Sequence, residues 1–169
     1  MAENALVQSS NIQKFNISSN QQNKAADLTG GVVDFRYYES VLSNNVTASA
    51  VITDSGFKAE GDRVNEGVSV LDDLPIRGGE RTDIVIEDNY KNQLRFPDGL
   101  YVNRVRDGDS GTQKETFSID FASKEYFANE QSRVLARYEG KISEHVDSII
   151  TEMGGTMENN DNTSLNYNF

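Results

Sequence analysis

Residues 115–121 read Glu115-Thr116-Phe117-Ser118-Ile119-Asp120-Phe121. Phe117, Ile119 and Phe121 fall on one side of an extended chain, and Thr116, Ser118 and Asp120 on the other. A half-buried strand has this period of two. The expectation is a strand with the aromatic and aliphatic side chains turned into a core and Ser118 and Asp120 turned out.

The pattern repeats upstream. Asp107-Gly108-Asp109-Ser110-Gly111-Thr112 is rich in turn formers and reads as a long hairpin loop leading back to a strand over residues 100–106. Before it, Pro97-Asp98-Gly99 separates Leu94 and Phe96 from Leu100 and Val102. Proline presets φ and glycine accepts a positive φ, so this tripeptide predicts a hairpin turn. Ile84 and Ile86 alternate with Asp83 and Glu87 in a strand over 82–88. Val46, Ala48, Ala50 and Ile52 share one face of another over 46–53, and 32–38 is rich in β-formers. Short strands punctuated by turns predict a small antiparallel β-barrel over residues 29–122.

Downstream the period changes. Ser123 is a candidate N-cap, and Phe127, Val134 and Tyr138 fall on one helical face that Gly140 ends. A second helix over 143–153 carries Val146, Ile149, Ile150 and Met153 and is closed by Gly154 and Gly155. The fold class is therefore α+β, mainly β: a small antiparallel β-barrel followed by two helices, with 123–153 beginning a second domain. Residues 1–28 are polar and read as an N-terminal arm. Residues 154–169 read as an Asn/Gly-rich connection or tail. Neither carries enough apolar surface to offset its ordering entropy, so both are expected to order against partners.

Composition narrows the function. The 169 residues carry a net charge of −11 and no cysteine, with 36% hydrophobic and 25% charged residues. Without cysteine there is no disulfide scaffold, zinc-thiolate site or cysteine nucleophile. The acidic balance argues against a surface that grips nucleic acid by its phosphates. No apolar run approaches the about 20 residues that span a bilayer, and Met1 to Asn20 lack a basic-then-apolar signal pattern. Residues 61–120 hold 13 acidic and 8 basic residues, so the acidity is spread along the chain rather than gathered in a tail.

Chemistry-bearing patterns are weak. His145 is the only histidine. On a helix, Ser143 and Asp147 point to other faces, which leaves His145 as a solvent-facing residue. Asp107-x-Asp109 invites a calcium loop. The EF-hand ligand at its fifth position, glycine at its sixth and glutamate at its twelfth are replaced here by Gly111, Thr112 and Ser118. Gly30-Gly31 and Gly78-Gly79 match no phosphate-binding pattern, and Arg77-Gly78-Gly79-Glu80-Arg81 reads as a tight turn. The pairs Asp72-Asp73 and Glu87-Asp88 are ordinary in so acidic a chain. No catalytic, cofactor or metal residue is expected.

Three stretches, in order, carry a resemblance. The first is Phe35-Arg36-Tyr37-Tyr38-Glu39-Ser40-Val41-Leu42 with the strand from Val46 to Gly56. The second is Leu74-Pro75-Ile76-Arg77-Gly78-Gly79-Glu80-Arg81. The third spans residues 126–140, with Asn129-Glu130 and Arg133-Val134, followed by Ile142-Ser143. Together, over about residues 32–153, the chain resembles the N-terminal part of baseplate central-hub proteins of contractile-tailed bacteriophages, of the cyanophage type. The resemblance implies a tube-lining antiparallel β-barrel in the virion. In that family two barrels per chain let a trimer form a pseudo-sixfold ring joining the tail tube to the central spike. Family members are longer, so this chain is expected to be one fragment of a hub, or a form with one barrel that would need six copies.

The expected function is thus a structural, non-enzymatic baseplate hub subunit. Its expected partners are copies of itself in a homo-oligomeric ring, taken as a trimer, together with the tail-tube protein, the central spike and the baseplate wedge proteins. DNA would be only transient cargo, and no membrane is involved. The alternatives are a tail-tube or tube-terminator subunit and, from another class, a small acidic cell-wall hydrolase. Asp107 and Asp109 are the expected interface residues, on a loop that reaches a neighbour or the lumen.

Overall fold

The computed structural model describes residues 10–21, 23–54, 60–61, 69–74, 76–110, 114–131, 133, 137, 139–156 and 161–168, with backbone only at 60–61, 107–110 and 167–168. The chain forms two compact units, Met1–Lys124 and Glu125–Phe169.

The first unit is mainly β. Its strands are β1 (Asn11–Ser18), β2 (Ala25–Asp27), β3 (Val32–Tyr38), β4 (Thr47–Asp54), β5 (Glu60–Gly61), β6 (Arg81–Glu87), β7 (Gln93–Arg95), β8 (Leu100–Ser110) and β9 (Glu115–Ala122), with a short helix α1 (Val70–Asp73) between β5 and β6. All neighbouring pairs are antiparallel, in the order β3-β4-β9-β8-β6-β1-β2-β5, and β7 also pairs with β6. The join between β8 and β6 is narrow, only Arg81 opposite Tyr101 and Thr82 opposite Leu100. There the sheet bends. Phe15 of β1 meets Phe35 of β3 with ring centroids 6.3 Å apart and Phe121 of β9 at 5.8 Å. In a flat sheet β1 and β3 would lie roughly 24 Å apart at five inter-strand steps. The sheet has therefore curled into a half-barrel with its core inside.

That core is the one the alternation predicts. Phe117, Ile119 and Phe121 are buried, while Ser118 and Asp120 are half-buried. On β4, Ala48 lies opposite Phe121 and Tyr37, and Ala50 opposite Ile119 and Phe35. Small residues on β4 leave room for the rings beside them, so large and small side chains interdigitate.

Three expectations are corrected within this unit. Residues 11–18 are not part of a free arm: they form β1, paired with β6 along its length, and bury Phe15 and Ile17 completely. Two apolar residues at a spacing of two suffice when the sheet supplies the backbone partners. Pro97-Asp98-Gly99 is not a hairpin between β7 and β8. Both strands pair with the same edge of β6, with Val85 opposite Arg95 and Thr82 opposite Leu100. The tripeptide is a turn-and-bulge within one returning strand: Gly99 N donates to Phe96 O at 2.9 Å, and Gly99 sits at φ 73°. The hairpin itself is at residues 88–92, where Asp88 Oδ1 accepts from Tyr90 N at 2.8 Å and Asn92 N at 2.9 Å. The long loop expected at 107–112 is shorter too. β8 continues to Ser110, opposite Glu115, across a register shift.

The second unit holds most of α2 (Lys124–Gln131), then β10 (Glu139–Lys141), α3 (Ile142–Glu152) and β11 (Asn166–Asn168), with β10 and β11 antiparallel. The first helix ends at Gln131, and Gly140 lies in β10 at φ 134° instead of ending a helix. Val134 and Tyr138 lie outside the described residues. His145, expected at the surface, is buried beside Gly140 and close to the equally buried Ser143. The closure of α3 is as expected. Gly155 N donates to Ile150 O and Gly154 N to Thr151 O, with Gly154 at φ 78°: a Schellman motif that only a residue free of Cβ strain forms cheaply. The expected C-terminal tail contributes β11 to the small sheet.

Candidate assembly surface

The buried carboxylates are spent on backbone. Glu80 is 1% exposed and accepts from Arg77 N at 2.9 Å and Gly78 N at 2.7 Å, closing the glycine turn that opens β6. Asp54 accepts from Val70 N at 2.6 Å, and Glu115, its cross-strand partner, accepts from Ser69 Oγ. Two acids at the end of β4 and β9 thus hold the start of α1, where unsatisfied N–H groups favour negative charge. Ser69 is the cap, accepting from Leu71 N.

The exposed acids serve turns and ion pairs. Glu87 lies below the ordinary carboxylate range because Lys91 and Gln93 donate to it, and Asp88 does so through Asn92. Lys91 is correspondingly raised by Glu87. Asp73 faces Lys24 at 3.9 Å, Asp83 faces Lys14 and Arg81, and Asp120 faces Arg106. Tyr37 donates to Glu39, which pushes the phenol up to about 12. Among the described residues, no three His, Asp or Glu side chains gather as a metal site. Asp107 and Asp109 are placed by backbone alone, Asp107 opposite Phe117 in β8; their side chains lie outside the described residues.

Apolar exposure is uneven and gathers on β3 and the turn after it. Val33 is 67% exposed and Tyr38 55%, while Val41 and Leu42 are fully exposed. β3 is an edge strand, paired on one side with β4. In the tip beyond it, Ser43 N donates to Ser40 O at 3.0 Å and Leu42 N to Ser40 Oγ at 3.2 Å. Ser43 Oγ donates to Asn45 Oδ1 at 2.6 Å. The polar side chains close the turn, and the two corner residues, Val41 and Leu42, point their carbon outward. Ser40 to Thr53 is also the longest stretch of the sequence without a charged residue. The signal was legible as Ser-Val-Leu-Ser-Asn-Asn, an apolar pair inside a run of turn formers, but periodicity does not mark it.

Beside the edge, where the curled sheet leaves β3 facing β1, β6 and β7, is a groove of about 530 Å³. Ile12, Val32, Val33, Phe35, Ile86 and Leu94 supply its apolar wall. Its one charged lining residue, Asp34, is paired with Arg36 Nε at 2.8 Å. At the end of the seam Tyr37 packs on Phe96, ring centroids 5.4 Å apart. Turn tip, edge strand and groove form one neutral, partly apolar face on an acidic chain.

Comparison of the sequence with protein-family models and with curated proteins returns no match. Among the described residues no helix is long and apolar enough to cross a membrane.

Proposed function

We propose that this chain is a structural virion protein, a baseplate hub subunit that works by self-assembly into the ring between tail tube and central spike. Its half-barrel is the tube-type barrel domain of that ring. The observation that carries the reading is the neutral apolar face of β3 and its tip on a chain of net charge −11. Monomeric proteins seldom present such a face, and like-charged copies associate only where charge is absent or paired. The ordered resemblance of three sequence stretches to hub proteins supports the same reading. So does the use of Glu80, Asp54 and Glu115 as backbone and hydroxyl acceptors, which gives those acids a structural role. The acidic surface suits a channel through which DNA passes without being held.

The test is negative-stain imaging of the full chain, alone and mixed with tail-tube and central-spike proteins. Rings, or co-assembly onto the tube end, are expected. A chain that binds neither protein, or that localises outside the tail, overturns the reading, as does cell-wall hydrolysis that disappears on substitution of one acid pair.

A further inference from the structure

We infer that the contact between copies is heterologous: the tip of one copy, Val41 and Leu42, seats in the groove between β3 and β1, β6 and β7 of the next. The inference deepens the proposed self-assembly and rests on it. Two observations meet here. The tip is a peg: a turn closed by its own serines that presents two fully exposed aliphatic side chains. Turn corners ordinarily carry Pro, Asp, Asn or Gly, and nothing local rewards Val and Leu there. The groove is a socket of about 530 Å³ walled by Ile12, Val32, Val33, Phe35, Ile86 and Leu94.

Charge selects the occupant. Copies that each carry −11 repel except where their surfaces are neutral. The tip lies in the longest uncharged run of the sequence, and the single charged residue lining the groove is neutralised by Arg36. Peg and socket are therefore neutral patches that approach without like-charge repulsion. They are different patches on one chain, and a contact between unlike patches repeats head to tail, closing into a ring when the rotation allows.

The experiment uses the full chain and its lack of cysteine. Val41→Asp with Leu42→Asp removes the peg; Val33→Asp with Leu94→Asp spoils the socket. All four positions are exposed, so the fold should persist, and far-UV circular dichroism checks that it does. In analytical ultracentrifugation the wild type self-associates, and each double variant weakens association at least about tenfold. A mixture of the two variants forms one-to-one pairs and goes no further, because only one intact peg and one intact socket remain. Independently, a Leu42→Cys chain mixed with a size-tagged Leu94→Cys chain forms a mixed disulfide-linked pair on mild oxidation. Unaltered association of the peg variant, or pairing of like chains only, overturns the inference while leaving the ring reading standing. Mixed pairs that build open filaments instead of rings uphold the contact and overturn the ring. A wild type that stays monomeric at millimolar concentration overturns the contact, and co-assembly with the tail-tube protein then judges the ring separately.

Discussion

The ring of Phe15 meets the ring of Phe35 nearly at right angles, centroids 6.3 Å apart, across the hollow of a sheet whose strand order sets them five places from each other. The contact joins the two ends of the curl, so it should report on the curl's integrity. Phe15→Ala removes a fully buried ring and is expected to cost about 3–5 kcal/mol, lowering Tm by about 10 °C. Phe15→Leu keeps most of the buried area and should cost about a third of that, the loss being chiefly the edge contacts. Thermal unfolding followed by circular dichroism measures both. Equal losses for the two variants would show that the ring geometry contributes nothing.

Glu80 should matter more than any exposed acid. Glu80→Ala leaves two backbone N–H groups at residues 77 and 78 without their carboxylate, a loss of about 1.5–3 kcal/mol for each charge-assisted bond before relaxation. Asp83→Ala, which removes only surface ion pairs, should change stability by less than about 1 kcal/mol. Urea titration of the two variants side by side gives the comparison. A Glu80→Ala chain as stable as Asp83→Ala would remove the turn's assigned role.

Gly99 is the tight point of the turn-and-bulge that lets β7 and β8 follow one edge of β6. At φ 73° any Cβ is strained, and here it would lie 2.9 Å from Arg81 Nε and 3.0 Å from Thr82 O. Gly99→Ala is expected to destabilise by at least about 1–2 kcal/mol. It should also accelerate amide exchange at residues 81 and 82, the narrow join of the sheet. Uniform exchange across β6 would instead place the strain elsewhere.

The 88–92 hairpin should loosen in acid. Asp88 and Glu87 are held below the ordinary carboxylate range by Asn92, Lys91 and Gln93. A depressed folded value means that the stabilisation is complete above that range and is lost as the pH falls through it. Amide exchange at Tyr90 and Asn92, corrected for its intrinsic pH dependence, should therefore become faster relative to β9 below about pH 4. In Asp88→Asn that relative change should be smaller.

Tyr37 offers a spectroscopic check of the seam. Its phenol is raised to about 12 first by its hydrogen bond to Glu39. Ultraviolet difference titration should show one tyrosine ionising late, and Glu39→Gln should bring it back toward about 10. A late tyrosine that ignores Glu39→Gln would locate the shift in another residue.

Local chemistry in the sequence determined much of the unit that carries the strands. The alternation of Phe117, Ile119 and Phe121 set one face of β9, the small residues of β4 set the packing partner, and Gly154-Gly155 set the end of α3. Each works over a few residues, because side-chain period and backbone φ are local properties. Tertiary structure decided what depends on distant partners. Polar residues 11–18 became a strand because β6 was there to pair with them. Pro97-Asp98-Gly99 became a bulge rather than a hairpin because β6 holds both flanking strands on one edge. Glu80 and Asp54 became buried acceptors because the fold brought unpaired N–H groups to them. The peg at Val41 and Leu42 follows the same logic in reverse: their sequence is apolar, and only the fold leaves them with nothing of their own chain to cover them.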